Sequence, residues 1–223
     1  MKNIQYPIPI NEMRSRYLRL YSAAVNDVLR FTYKMHASSF PSEYRPLREE
    51  MKIAGLAFTI KGGPDITSDN EMELRAHMLE ELHEDSVVVW DCTGDWVTAQ
   101  WGEIMTMAAV KTGCRGAIVN GIRDAKAILD QGFPVFYKYR TNTGMLGRFR
   151  MYHYQKPILI GEVIVNPGDW IFGDIDGALA VPGNIAYDVL LAAEKILGTE
   201  ENIRDLVRSG LKPTEVVKKG GYF

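Results

Sequence analysis

Cysteine is scarce in this chain, and its scarcity excludes several kinds of site. Cys92 and Cys114 are the only cysteines among 223 residues, too few and too far apart for a disulfide framework or a zinc knuckle. The four histidines also lack the spacing of metal ligands. We therefore expect buried, reduced thiols and a fold that rests on its hydrophobic core, for which this length suffices.

Neither a strong charge of one sign nor a long apolar run is present. The formal net charge is −2, which argues against an electrostatic nucleic-acid binder. Basic and aromatic residues interleave at 148–154, where a substrate or subunit contact is favoured and RNA ranks last. No segment approaches the ~20 apolar residues of a membrane span, and residues 1–7 lack a signal-peptide core. We expect a cytoplasmic protein with no membrane contact.

The first half of the chain alternates helical and strand patterns. Residues 11–34 have helical periodicity, with Ser22 as a candidate cap of a second helix. Strands are predicted at 53–60 (ended by Gly62-Gly63-Pro64), 86–91, 117–120 and 134–137, and helices at 70–82, 102–112 and 124–129. In the helix at 70–82, the predicted face is Met72, Arg75, Ala76 and Leu79. This alternation implies βαβ units and a partly parallel sheet with helices on its faces.

The second half has a different pattern. Residues 140–156 are predicted to form a long polar connection, followed by short strands at 158–160, 163–165 and 170–172. A tight turn at 174–177 leads into a strand at 178–181. A helix follows, with one face formed by Ile185, Val189, Leu190 and Ile196. We predict one α/β domain over 1–223, with a helical N-terminal segment at about 11–34 and a C-terminal arm at about 201–223.

Arg123 and Asp124 follow a predicted buried strand directly. In α/β sheets, ligands collect at the carboxyl ends of parallel strands. A guanidinium there can hold a carboxylate or steady an enolate oxygen, and a carboxylate can bind a hard divalent cation. An Asp that caps the next helix beside a solvated Arg is the alternative. The dipeptide taken alone favours that alternative.

Gly102 and Glu103 open the predicted helix at 102–112. The first amides of a helix lack internal partners and attract a carboxylate, and Gly102 permits close approach to the backbone. Glu103 would then lie near Asp124, although an ordinary amphipathic helix with a first-turn Glu explains the same residues. Together with Arg123, this set suits a small α-keto acid that chelates Mg²⁺ or Mn²⁺.

The ordered motifs also resemble a known family. Gly102-Glu103, followed about twenty residues later by Arg123-Asp124, resembles the class II 4-hydroxy-4-methyl-2-oxoglutarate/4-carboxy-4-hydroxy-2-oxoadipate aldolases. This family includes the RraA-like proteins, named for an inhibitor of ribonuclease E. The resemblance covers roughly residues 15 to 195, and its supporting segments are 22–29, 53–59, 86–91, 165–169 and 174–177.

The resemblance implies a fold, an assembly and a set of roles. The fold would be an α/β/α sandwich of the swivelling phosphohistidine-domain type, assembled as a homotrimer or homohexamer with sites between subunits. Asp124 would bind the metal directly, and Glu103 would hold a metal-bound water. Arg123 and the amides of Ile104 and Met105 would hold pyruvate.

Three features depart from the family pattern. Asn120 stands where many members have Asp, Trp101 is bulky for its place, and the segment 140–156 looks unusual. The predicted function is a divalent-metal-dependent (class II) aldolase, a lyase that cleaves 4-hydroxy-2-keto acids to pyruvate, with oxaloacetate decarboxylation as a side activity. The alternative is a non-catalytic RraA-like regulator that binds a ribonuclease or another protein.

Overall fold

The computed structural model describes residues 5–223 and consists of a strongly curled sheet with helices on its outside. The helices are α1 (Ile10–Tyr17), α2 (Ser22–Asp27), α3 (Glu71–Glu80), α4 (Glu103–Lys111), α5 (Ala125–Asp130), α6 (Ala186–Arg208) and α7 (Pro213–Lys218). The strands are β1 (Arg45–Pro46), β2 (Ile53–Pro64), β3 (Ser86–Asp91), β4 (Ala117–Ile122), β5 (Val135–Arg140), β6 (Phe149–Tyr154), β7 (Ile158–Ile160), β8 (Val163–Val165), β9 (Trp170–Asp174) and β10 (Gly177–Val181).

Strands β2 to β5 are parallel, and this arrangement creates the edge that carries the site. The strand order is β1-β5-β4-β3-β2-β9-β10, with β6 paired to the second half of β2. Lys61 pairs with Asp91 between β2 and β3, and Ile122 pairs with Arg140 between β4 and β5. The carboxyl ends of these four strands therefore meet at one edge, as expected for ligand sites of α/β sheets.

The sheet curls until β10, at one end of the strand order, lies beside the segment that leads into β1, at the other end. Phe40 donates its N–H to the Ala178 carbonyl at 2.9 Å, and Ala180 donates to the Ser38 carbonyl at 2.9 Å. A few residues later, β1 pairs with β5. The result is a nearly closed barrel, which removes exposed strand edges. The β7–β8 hairpin packs into its interior against the apolar side chains of the central strands.

Helices cover the outside of the barrel in two groups. Helices α3, α4 and α5 cover one side, where Phe58, Trp90 and Val119 are buried. Helices α1, α2 and α6 cover the other side, around Trp170 and Phe172. The mixed α/β class predicted from the sequence is confirmed. None of the helices within residues 5–223 combines the length and apolar character needed to cross a membrane.

Two strand predictions need correction. Strand β2 continues through Gly62-Gly63-Pro64, where it pairs with β6. The two backbones lie so close that a Cβ atom at Gly62 would be 2.5 Å from the Arg150 carbonyl oxygen. The glycine thus permits close pairing with β6 and does not end the strand. Correspondingly, the predicted connection 140–156 contains β6 itself, which includes most of the basic and aromatic segment. Long-range pairing between β2 and β6, with a bulge at Lys61/Gly62, overrides the polar composition.

Two helix predictions also differ from the structure. The buried residues of α3 are Glu71 and Met78, whereas Met72 is 58% exposed. Glu71 is inside because Arg75 Nε donates to its carboxylate at 2.9 Å. Residues 11–34 form two helices and a π-helical turn, Val28–Thr32. Ser22 lies inside α2, where its N–H and hydroxyl both donate to the Asp174 carboxylate.

Candidate active site

The start of α4 presents free amides at the carboxyl edge of the parallel strands. Gly102 is the N-cap residue, and the first α-helical bond runs from the Thr106 N–H to the Gly102 carbonyl at 3.1 Å. The amides of residues 103–105 therefore have no partner inside the helix. The Glu103 N–H points to Asp124 Oδ2 at 3.5 Å. This helix terminus attracts negative charge.

Arg123 and Asp124 lie between β4 and α5, directly opposite this helix terminus. Asp124 is the N-cap residue of α5 and has a left-handed backbone with φ of +56°. Such a conformation is uncommon for a residue other than glycine and is found often at functional sites. Arg123 Nε lies 3.3 Å from Asp124 Oδ2, and the two side chains are 47% and 39% exposed. Both groups are therefore accessible to a ligand.

Gly102 allows the two loops to touch. A Cβ atom at this position would lie 2.9 Å from Asp124 Oδ2 and 3.2 Å from Arg123 Cγ. Any side chain would push the helix terminus away from the Arg123-Asp124 loop. The structure thus brings together three of the residues that the sequence singled out, and the close neighbour of Gly102 is the Asp124 carboxylate itself.

A cavity of about 520 Å³ opens beside Arg123 and Asp124. Its remaining lining residues are Ile122, Ala125, Arg140, Thr141 and Asn142. Two guanidiniums face one carboxylate there, so the cavity favours an anion. Arg140 was not among the predicted site residues, because the sequence pattern placed it at the start of a connection. The signal that could have found it is its position at the end of β5, one strand from Arg123.

The side chains of α4 lie apart from this cavity. The Glu103 carboxylate lines a neighbouring groove of about 480 Å³ between α4 and α5, together with Met107 and Lys111. Only the Glu103 backbone reaches Asp124. Ile104 is 79% exposed and Met105 is half-buried. The backbone amides of these two residues, and not their side chains, are therefore the groups relevant to the predicted site.

The donor set near Asp124 fits a hard cation that keeps much of its water. Residues 5–223 contain no group of three or more His, Cys, Asp or Glu placed to hold a metal. Mg²⁺ usually binds through one or two carboxylates, with water and substrate oxygens completing its octahedron. In the described chain, Asp124 Oδ1 accepts no hydrogen bond, so this oxygen is available to a cation.

Trp101 does not obstruct the cavity, despite its size. Its ring is 1% exposed and stacks on Phe133, with ring centroids 6.0 Å apart. Its indole N–H donates to Thr106 Oγ1 at 2.8 Å. The ring therefore packs beneath α4 and anchors the start of that helix.

Asn120 has a role that an aspartate could not fill. Its side-chain Nδ2 donates to the carbonyls of Cys92 and Asp95, both at 3.1 Å. Its Oδ1 accepts from the Tyr44 hydroxyl at 2.7 Å. The side chain is 4% exposed. Asn thus stands in place of Asp at a position where two carbonyl oxygens need an N–H donor.

We expect Asn120→Asp to lower the free energy of unfolding by about 2 kcal/mol or more at pH 8, because a buried carboxylate would face two carbonyl oxygens. Burial would raise the pKa of the introduced carboxyl in the folded state, so stability should recover as the pH falls. Urea denaturation at pH 8 and pH 5.5 measures this. Asn184→Asp, at an exposed position, is the control. Equal stability of both variants at pH 8 would contradict this role.

The comparisons with known proteins agree with the motifs. Residues 22–180 match the model of the RraA-like family, described as Aldolase/RraA. The chain belongs to the RraA-like family. Protein DlpA of Legionella pneumophila is 33% identical to this chain over 172 residues, which are 74% of this chain and 27% of that protein. The match thus spans about a quarter of that relative's length.

Two further similarities come from a bacterial relative and a solved structure. A protein of Halalkalibacterium halodurans, provisionally named a 4-hydroxy-4-methyl-2-oxoglutarate aldolase, is 30% identical over 165 residues, which are 74% of this RraA-like chain and 76% of that protein. A crystal structure described as a novel cellulase from microbes associated with the gut ecosystem is 44% identical, with a TM-score of 0.87 over 91% of both chains.

Proposed function

We propose that this RraA-like protein is a divalent-metal-dependent aldolase that cleaves 4-hydroxy-2-keto acids to pyruvate and a carbonyl product. The observation that carries the proposal is the contact of Gly102, at the start of α4, with Arg123 and Asp124, which line the adjacent cavity. It combines an anion-binding helix terminus, a guanidinium and a free carboxylate oxygen. The relative provisionally named an aldolase supports the same reaction class.

Each group of the site has a role in this proposal. The guanidinium of Arg123 and the amides of Ile104 and Met105 bind the carboxylate of the substrate. Asp124 would hold Mg²⁺ or Mn²⁺. Glu103, in the adjacent groove, would contact this cation through a water molecule. When bound, the cation supplies Lewis-acid polarisation of the keto oxygen. Arg123 also offsets the charge that develops on that oxygen.

Bond cleavage follows from this placement. In this proposal, a water near Glu103 acts as the base that removes the proton of the 4-hydroxyl, and the bond between carbons 3 and 4 breaks. The electron pair passes to the pyruvate enolate, whose oxygen lies against Arg123, and protonation at carbon 3 gives pyruvate. Oxaloacetate decarboxylation passes through the same enolate without needing that base, so it is proposed as a side activity.

The test is pyruvate release from a panel of 4-hydroxy-2-keto acids and oxaloacetate, with and without Mg²⁺ or Mn²⁺. We expect metal-dependent pyruvate from at least one keto acid. Cello-oligosaccharides belong in the panel because a similar structure is described as a cellulase. Sugar release without pyruvate release would contradict the aldolase proposal. No turnover of any compound would favour the alternative, an RraA-like regulator that binds a ribonuclease or another protein.

We also propose a closed ring of subunits, a homotrimer or homohexamer, since head-to-tail contacts must close to avoid a filament. Ile104, Met107 and Val110 leave about half or more of each side chain exposed on α4. This apolar stripe borders the site and suits a subunit contact. The swivelling phosphohistidine-domain type is a proposal that rests on the family resemblance. A location in the cytoplasm is a proposal that rests on the sequence pattern of residues 1–7 and on the lack of a long apolar run.

The C-terminal arm at 201–223 is expected to contribute to this assembly. Helix α6 continues to Arg208, and α7 packs back with Val216 fully buried, so the arm is partly docked on its own subunit. Val217 and Phe223 nevertheless remain 54% and 77% exposed. A chain stopped after Thr199 would cut α6, whereas one stopped after Ser209 leaves this helix complete.

We expect the chain stopped after Ser209 to keep its fold and lose assembly, because the exposed apolar side chains of α7 and the terminus would be missing. Light scattering gives the mass of both forms. A doubly substituted full chain, Val217→Ser with Phe223→Ser, is the matched variant that keeps α7. An intact protein that is monomeric and fully active as an aldolase would contradict the shared-site proposal.

A further inference from the structure

The two halves of the site lie on different loops, and a short stretch of backbone pairing joins them. Gln100 donates its backbone N–H to the Gly121 carbonyl at 3.0 Å, and the Arg123 N–H donates to the Trp101 carbonyl at 3.0 Å. Residues 100–101 thus lie alongside residues 121–123. The position of Gly102 relative to Arg123 depends on this pairing.

The loop that precedes Gly102 lies unusually close to β4. A Cβ atom at Gly121 would lie 2.1 Å from the Thr98 carbonyl oxygen and 2.7 Å from the Tyr139 ring. Only a residue without a side chain fits between this loop and β5. The loop at 95–101 is therefore held against the strands at van der Waals distance, directly before the helix terminus of the site.

The Gln100 side chain links this loop to β4. Its Oε1 accepts from the Gly121 backbone N–H at 2.7 Å. Its Nε2 donates to the Thr98 carbonyl at 3.0 Å and to the Asp95 carboxylate. The residue is 1% exposed. The amide thus acts as an acceptor towards β4 and as a donor towards its own loop.

Asp95 is the fixed point at the other end of this network. Its carboxylate is buried and accepts from the Thr98 hydroxyl at 2.6 Å and from the Tyr139 hydroxyl at 3.2 Å. It forms no ion pair with any residue of the described chain. Burial, together with the Asp95 charge, raises the pKa of the Tyr139 phenol well above its usual value. Tyr139 therefore remains a donor throughout the neutral range.

We propose that Gln100 is the positioning residue of the active site. Its amide fixes the loop at 95–101 on β4, and so sets where the start of α4 lies relative to the Arg123-Asp124 pair. The catalytic consequence of this inference rests on the proposed function. The positioning itself rests on the contacts above. Gln100 touches neither the cavity nor a reacting group, so it acts through Gly102 and Arg123.

The first test is the pH profile of Gln100→Glu. An ionised carboxylate cannot donate to Asp95 or Thr98, whereas a protonated carboxyl donates one hydrogen bond and accepts from Gly121. Asp95 and Tyr139 are the titratable groups that contact this side chain. We expect kcat about 10–100-fold below wild type at pH 8, because a misplacement of about 1 Å costs up to about 10²-fold. The deficit should shrink towards pH 6, while KM changes less than kcat.

Two further variants make this pH profile specific. Gln100→Met keeps the size but lacks both donor and acceptor, so its deficit should be the same at pH 6 and pH 8. Gln5→Glu changes an exposed glutamine that lines neither the cavity nor the groove of Glu103. It should follow the wild-type profile. A Gln100→Glu protein with the wild-type profile would overturn the proposal.

The second test does not depend on turnover. Hydrogen exchange of the Gly121 and Arg123 amides reports the pairing directly, and we expect it to be at least about 10-fold faster in Gln100→Met. Exchange at Val88, in the middle of β3, should be unchanged. Unchanged exchange at Gly121 and Arg123 would overturn the positioning role. Faster exchange in a protein whose wild type releases no pyruvate would refute the proposed function and leave the positioning intact.

Discussion

Asp124→Asn is expected to lower kcat/KM for pyruvate release by at least about 10²–10³-fold while the protein remains folded. The carboxylate is the group proposed to hold the cation, and an amide oxygen carries no charge to attract it. The side chain is 39% exposed and lies outside the core. Asn Oδ1 can still accept from the Glu103 N–H, so the local structure should survive.

Steady-state kinetics with saturating Mg²⁺ measures this effect. Asp176→Asn is the control, because Asp176 is exposed in the turn between β9 and β10 and lines neither the cavity nor the groove of Glu103. It should retain wild-type kcat/KM. Titration with Mn²⁺ should show weaker binding to Asp124→Asn than to Asp176→Asn. Equal Mn²⁺ affinity and equal turnover in the two variants would contradict the role of Asp124.

Arg123→Lys is expected to lower kcat/KM by about 10²–10³-fold, although the charge is kept. A guanidinium presents a planar fork that holds a carboxylate and an enolate oxygen together, and an ammonium cannot copy it. The guanidinium also lies close to the backbone of Gly144, where a Cβ atom would be 3.1 Å from its Nη1. This close packing fixes its direction towards the cavity.

The separation of kcat from KM distinguishes two roles of Arg123. Loss of ground-state binding raises KM alone, whereas loss of transition-state stabilisation lowers kcat. We expect both to change, with the larger effect on kcat. Arg48→Lys, at an exposed arginine between β1 and β2 that lies outside the cavity, is the control and should leave both constants unchanged. An Arg123→Lys variant within about twofold of wild type would leave Arg123 a structural role only.

Local pattern and the rules of parallel sheets were sufficient to predict much of the fold. Residues 86–91 form an almost continuous apolar run that closes on a carboxylate, and the structure buries all six in β3. The turn at 174–177 and the strand after it also agree with the β9–β10 hairpin. Because β3 and β4 are parallel neighbours, the loops that follow them had to meet at one edge. The proximity of Gly102 to Asp124 follows from that topology.

Other features depended on long-range contacts that no local pattern encodes. Strand β6 exists because the second half of β2 needs a partner there, and its Arg and His residues concealed the alternation. Glu71 is buried because of a pairing with Arg75. The amide of Gln100 gains its importance from Asp95, Gly121 and Tyr139, which lie on separate segments. Local propensity carries no information about such contacts.

The proximity of Gly102, Arg123 and Asp124 was predictable from the sequence, whereas the directions of the side chains were not. Arg140 was missed because the strand that carries it was expected to end at residue 137. The Glu103 carboxylate lines a groove beside the cavity, which spacing along a helix could not reveal. Its proposed contact through water remains a prediction that a Glu103→Gln variant can test.

The most direct test of the central proposal is pyruvate release from 4-hydroxy-4-methyl-2-oxoglutarate by metal-depleted protein. Treatment with EDTA should abolish turnover, and added Mg²⁺ or Mn²⁺ should restore it in the wild type but not in Asp124→Asn. Borohydride added during turnover should trap no substrate on the protein. Full turnover in EDTA, or a borohydride-trapped lysine adduct, would contradict the metal-dependent mechanism.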